Sequence, residues 1–174
     1  MHLTLADWQA LPAEPWKNGG GVTRTVARDA DAAAARWRVS IADIARDGPY
    51  SRFPGYDRVS VVLTGQGVAL HGAGMEVVLL PGVATTFPGD IAFQSRLLGE
   101  PVQVLNVFVR RDAARVTVSC VGLTQIAVIA GRLADGAEAL QQFHWTVDVH
   151  AGPPRQDGVD AVLLDLQVAA CRAA

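Results

Sequence analysis

Paired histidines, clustered cysteines, basic runs and long apolar stretches are all missing from this 174-residue chain, and each absence removes a class of function. The four histidines are His2, His71, His144 and His150. No two are spaced as H-x-H, and none stands with a Glu in a ligand-like pattern, so no bound metal is expected. Nothing in the sequence calls for another cofactor. Cys120 and Cys171 lie too far apart for a disulfide framework or a zinc knuckle and read as two reduced thiols. There is no G-x-S-x-G elbow, and neither cysteine has the setting of a Cys/His nucleophile. The net charge is −2. A phosphate-backbone binder needs a basic excess or stripe, so nucleic acid is not an expected partner. No apolar run approaches the ~18–20 residues of a membrane span. Asp7 interrupts the first apolar residues before a signal peptide could build, so a cytoplasmic location is expected.

What is present is β-forming. Hydrophobic residues make up 50% of the chain and charged residues only 18%, which leaves ample material for a core and excludes wholesale disorder. Seventeen glycines and nine prolines punctuate short apolar segments. Trp37, Val39 and Ile41 alternate with Arg38, Ser40 and Ala42, the period of a half-buried strand. Residues 59–63 and 68–70 flank Gly65-Gln66-Gly67 and predict a hairpin. Strands are also expected at 76–80, 83–87, 91–93, 101–109 and 116–120, then at 125–130, 137–141, 144–150 and 161–168. The Ala-rich stretch 29–36 reads as one or two helical turns or as a surface loop. Such spacing predicts an all-β sandwich, jelly roll or barrel, in two small modules packed as one unit.

Three segments depart from barrel filler. In WKNGGGVTR (16–24), Lys17, Asn18, Thr23 and Arg24 flank three glycines with cationic and hydrogen-bonding groups suited to a carboxylate. The spacing is not that of a phosphate loop. A tight turn with solvated charges explains the segment equally well. In WRVSIADIARDGPYSRFPGYDR (37–58), Tyr50, Phe53 and Tyr56 cluster between two turns, and Arg58 opens an apolar strand. Arg58 either pairs with Asp57 or Asp43, or offers its fixed fork to a ligand carboxylate. In VLNVFVRR (104–111), Asn106 stands inside an apolar run and must find backbone, water or ligand partners.

Together these strings resemble the HutD/Ves family. The resemblance is strong from Leu3 to Arg111, and beyond that consists of length and β-pattern. It implies an RmlC-like cupin fold, a jelly-roll barrel in a compact bicupin-like arrangement: residues 1–112 as an N-terminal module with the pocket, 113–174 as a smaller second one. Carried over residue by residue, it implies that Arg58 is an anion anchor and that Lys17, Asn18, Thr23 and Arg24 line the pocket or its rim. Trp16, Phe53 and Asn106 are expected at the same cavity. One departure stands out: an acidic position of the family pattern is Leu105 here.

The leading expectation is a binding module, a sensor or governor of histidine utilisation whose ligand is a small carboxylate of the urocanate or formylated-glutamate type. Neither nucleic acid nor membrane is an expected partner, and a homodimer is an open arrangement. One alternative is a metal-independent RmlC-like isomerase or epimerase, with His71 and Tyr50 or Tyr56 as its acid–base candidates. The other is a structural or interaction β-protein, which an exposed apolar patch would favour.

Overall fold

The computed structural model describes residues 2–3, 9–28, 35–112, 114–121, 125–132 and 159–164, with side chains described only within 9–112. The described residues fold as strands joined by turns: β1 (His2–Leu3), β2 (Glu14–Pro15), β3 (Gly21–Arg28), β4 (Trp37–Ile44), β5 (Gly48–Tyr50), β6 (Tyr56–Thr64), β7 (Val68–Gly72), β8 (Met75–Leu79), β9 (Thr85–Pro88), β10 (Phe93–Leu97), β11 (Val102–Arg110), β12 (Ala114–Val121), β13 (Gln125–Arg132) and β14 (Val159–Leu164). The stretch 29–34 and the strands expected at 137–141 and 144–150 lie outside the described residues. The strand expected at 91–93 begins instead at Phe93 and runs to Leu97. Residues 89–92 are held back by the Pro88-Gly89-Asp90 turn.

The pairing of the central eight strands is nested. β7 pairs β8 across a tight turn, β6 pairs β9, β5 pairs β10 and β4 pairs β11, all antiparallel. A long hairpin folded over on itself gives this order, and it distributes the strands into two sheets, β2-β3-β4-β11-β6-β9 and β5-β10-β7-β8. That is a jelly roll, the all-β barrel the sequence leads one to expect. Between the sheets lie Ile44, Tyr50, Val62, Val68, Leu70, Leu79, Phe87, Phe93 and Val104, all buried. Phe87 and Phe93 meet edge to face with centroids 5.8 Å apart. A third sheet, β1-β14-β13-β12, takes in both the first and the last of the described strands, with β1 parallel to β14.

The central strands of the six-stranded sheet, β4, β11 and β6, are not half-buried as the alternation in β4 suggests. One face carries Trp37, Val39, Ile41, Val59, Val61, Leu63, Leu105, Val107 and Val109, and all are buried. The other face turns into the barrel, where Ser40, Ala42, Arg58, Ser60, Val62, Val104, Asn106 and Phe108 are buried as well. Exposed large apolar side chains among the described residues are Met75, Val78, Leu80 and Val83, along edge strand β8 and the turn after it. No helix among the described residues is long and apolar enough to cross a membrane.

Candidate functional site

Side chains two residues apart on a strand share a face, so cross-strand register stacks the barrel's inner face in tiers. Arg38, Phe108, Arg58 and Phe87 stand abreast on β4, β11, β6 and β9. The next tier is wholly polar: Thr25, Ser40, Asn106, Ser60 and Thr85. The third, Thr23, Ala42, Val104 and Val62, returns to the core. A cavity of about 60 Å³ opens against these tiers. It is lined by Trp16, Thr23, Arg38, Ser40, Ala42, Tyr50, Ser51, Phe53, Arg58, Asn106 and Phe108. At roughly 10–15 Å³ of such space per water, it holds a few waters or the carboxylate end of a small metabolite.

Arg58 is the centre of the site. It is only 4% exposed. Its Nη2 donates to Asn106 Oδ1 at 2.8 Å, and its Nη1 makes a long contact with the Ser51 carbonyl at 3.4 Å. Its Nε is buried with no hydrogen-bond partner among the described residues. Four rings surround the guanidinium: Tyr50 at 4.2 Å from its carbon to the ring centroid, Phe108 at 4.7 Å, Phe87 at 5.2 Å and Phe53 at 5.6 Å. Burial draws the pKa of Arg58 below the usual arginine value, with the Tyr50 phenol opposing the shift. Ring contacts of this kind stabilise a cation by about 0.5–2 kcal/mol each. Taking the charge out of water costs several kcal/mol, and the usual remedy, a carboxylate partner, is not supplied by the described residues. Asp57 is held by Arg111 at 2.7 Å and Asp43 by Arg24 at 2.5 Å, so the ion pairing considered for Arg58 is not made with either. Among the described residues, none that lines the cavity is a carboxylate or a histidine.

Asn106 stands where a counter-ion would. Its Oδ1 accepts from Arg58, from Ser60 Oγ at 2.7 Å and from Tyr50 Oη at 3.2 Å, while its Nδ2 donates to the Val104 carbonyl at 3.3 Å. A carbonyl oxygen has two lone pairs. Three donors oversubscribe it, and the Tyr50 hydroxyl, the most distant, is the one best placed to turn to another acceptor.

Of the eight residues expected at one cavity, the structure brings five together: Trp16, Thr23, Phe53, Arg58 and Asn106. Trp16 is fixed by its indole Nε1 donating to Thr23 Oγ1 at 2.8 Å. Phe53 sits on a loop stapled at both ends of a short detour: its N–H donates to the Gly89 carbonyl at 2.7 Å, and Gly89 N–H donates to the Tyr56 carbonyl at 2.8 Å. A Cβ at Gly89 would lie 2.7 Å from the Phe53 carbonyl oxygen, so only glycine allows this approach.

The other three are separated from the cavity, and each has a physical reason. Arg24 follows Thr23 in the same strand and therefore faces the opposite side, beside Ile41 in register and paired with Asp43. Asn18 is consumed locally: its Oδ1 accepts from Gly20 N–H at 2.9 Å, and its carbonyl from Arg46 Nη2 at 2.5 Å. Lys17 is exposed in the same turn. The glycine run serves the backbone, since a Cβ at Gly21 would collide with the Asp43 carbonyl oxygen on β4. Residues the sequence reading passed over are Arg38, Ser40, Ser51 and Phe108, which line the cavity, and Ser60, which bonds Asn106. The acid–base candidates do not assemble. His71 is exposed on β7 opposite Glu76 and Gln94, and the Tyr56 hydroxyl donates to the Ala35 carbonyl at 2.6 Å. Among the described residues no three His, Cys, Asp or Glu side chains are grouped so as to hold a metal ion.

Known proteins share this chain's sequence and fold. It is 40% identical over 109 residues to an uncharacterised 21.2 kDa protein in the hutC 3′ region of Pseudomonas putida, a match covering 61% of this chain and 57% of that protein. It is 28% identical over 156 residues to protein Ves of Cronobacter sakazakii, covering 88% and 84% of the two chains. The structure of HutD from Pseudomonas fluorescens in a formate condition superposes with a TM-score of 0.60 at 35% identity, covering 64% of this chain and 62% of that one. A conserved protein of unknown function from Pseudomonas aeruginosa gives 0.60 at 34%, covering 64% and 59%. The chain thus spans about three fifths of the length of the three Pseudomonas proteins it matches. The model of the HutD family matches residues 8–168, nearly the whole sequence, and the chain belongs to that family.

Proposed function

We propose that this protein binds a small carboxylate in the jelly-roll cavity, with Arg58 as the anion anchor, and that it acts as a sensor or governor in histidine utilisation. One observation carries the reading: a buried guanidinium, walled by aromatic rings, has a hydrogen-bond donor without a partner and no carboxylate at hand among the described residues. An orphaned buried donor costs about 1–3 kcal/mol, and an anion entering the cavity removes that cost together with part of the desolvation cost. Arginine's planar fork matches a carboxylate better than a point charge does. The setting in histidine utilisation comes from the P. putida relative in the hutC 3′ region. The ligand is then of the urocanate or formylated-glutamate type, and formate is the smallest probe of the same chemistry.

The test is calorimetric titration of the wild type, Arg58→Lys and Arg58→Met with formate, urocanate and N-formylglutamate, beside melting curves. Removing one partner of a buried charge pair weakens binding by about 2–5 kcal/mol. Arg58→Met should lose that amount, and Arg58→Lys should recover only part of it. Wild-type affinity in a well-folded Arg58→Met protein would end the proposal.

A further inference from the structure

Arg58 is not the only cation on the cavity wall. Arg38 stands in the same tier, and the two arginines flank Phe108 as its cross-strand neighbours on either side. The Arg38 guanidinium carbon lies 5.9 Å from the Phe108 ring centroid and that of Arg58 4.7 Å, so the two charges are no farther apart than those two distances end to end. They differ in depth. Arg58 is buried, whereas the Arg38 side chain retains 27% of its exposure. Arg38 is held by a neutral acceptor: its Nε and Nη2 both donate to Thr25 Oγ1, at 3.1 and 2.7 Å. The carboxylate beside it, Glu14, is 3.9 Å away and 65% exposed. A pair so long and so solvated offsets little of the charge. One cavity therefore presents two cations, an inner and an outer, and no lining carboxylate among the described residues to balance them.

We propose that the ligand is a dianion, a short dicarboxylate, with one carboxylate on Arg58 and the second on Arg38 across the Phe108 ring. This deepens the carboxylate-binding reading and rests on it. A monoanion satisfies the inner charge and leaves the outer one facing solvent. A dicarboxylate satisfies both while its hydrocarbon middle lies on the aromatic wall. Arg38 is thereby a specificity-determining residue, one that separates dianions from monoanions with the same hydrocarbon part.

Glutarate and butyrate, which share a carbon skeleton but for the second carboxylate, are the probes. Isothermal titration of the wild type should give glutarate about a tenfold advantage, the size of one added charge-assisted contact. Arg38→Gln should narrow the glutarate-to-butyrate ratio to within about twofold, and Arg38→Lys, which keeps charge without the fork, should fall between. Melting curves confirm that each variant is folded. A wild type that does not prefer glutarate, or an Arg38→Gln protein that keeps the full ratio, overturns the dianion inference while leaving Arg58 as an anchor. A wild type that binds neither acid removes the carboxylate site itself, and the inference with it.

Discussion

A neutral amide facing a buried guanidinium is the unusual chemistry of this site. Asn106 offers Arg58 one oxygen and no charge, and shares that oxygen with Ser60 and Tyr50. The arrangement keeps the cation in place without neutralising it, which is what a site for an external anion requires. Asn106→Asp should reverse this. The new carboxylate would pair with Arg58 internally, and a hydrogen bond to a charged partner is worth about 1 kcal/mol more than the neutral one, a gain reduced by the lost donation from Asn106 Nδ2 to the Val104 carbonyl. The same pair occupies the anion's place, so carboxylate affinity should drop by about 2–5 kcal/mol. A higher melting temperature together with lost binding in calorimetry is the expected result. Retained affinity in the Asn106→Asp protein would mean that Arg58 does not receive the ligand.

Strands and loops set how these residues meet. The loop that carries Phe53 is clasped from outside: Gly55 N–H and Arg111 both reach the Asp90 carboxylate, and Arg52 donates to the Asp90 carbonyl. The Arg111 bond, with Gly55 assisting, holds the Asp90 pKa down from 3.8 to about 2. An acid depressed in the folded state contributes stability above its unfolded pKa and loses it as pH falls through the folded one. The wild type should therefore weaken as pH drops from 3.8 toward about 2. Asp90→Asn should melt lower at neutral pH and show a flatter slope in that window, which melting curves against pH will check. An identical slope would show that the clasp contributes nothing. Much at this scale is legible in the sequence. Glycine and proline punctuation places β6, β7, β8 and β11 to within a few residues, and Arg58 and Asn106 stand out as polar residues in apolar runs. Arg38 and Ser40 are hidden because alternation with Trp37, Val39 and Ile41 assigns them to a solvent face, whereas that face of β4 turns into the barrel. Arg24 turns away from the cavity for a reason already present in its position: consecutive residues of one strand cannot both face one cavity, and Thr23 already does.

At the scale of the molecule, site and core are the same interior, so ligand and fold are coupled. A carboxylate that binds only the folded barrel adds about 2.7 kcal/mol at one hundred times its dissociation constant. For a chain of this size that corresponds to a melting temperature higher by roughly 5–10 °C. Differential scanning fluorimetry should show the rise for the wild type and none for Arg58→Met. What no single sequence reveals is the nesting of β4 with β11 and β5 with β10, because those partners are far apart in the chain and meet only once the roll has closed. The polar tier then takes on a second part. In a sheet with one wet face, a strand that slips by one residue exposes its apolar side, and that penalty keeps it aligned. Here the central strands β4, β6 and β11 are largely buried on both faces, so apolar pattern alone hardly distinguishes correct alignment from a slip. Arginine, serine and asparagine do. A slip of β6 by one residue would drive Arg58 into the layer of Val59, Val61 and Leu63, away from Asn106 and from the rings of Tyr50, Phe53, Phe87 and Phe108. The pocket thereby serves as the key that locks the strands in step, and a chain that lost its ligand would still have reason to keep the residues that bind it.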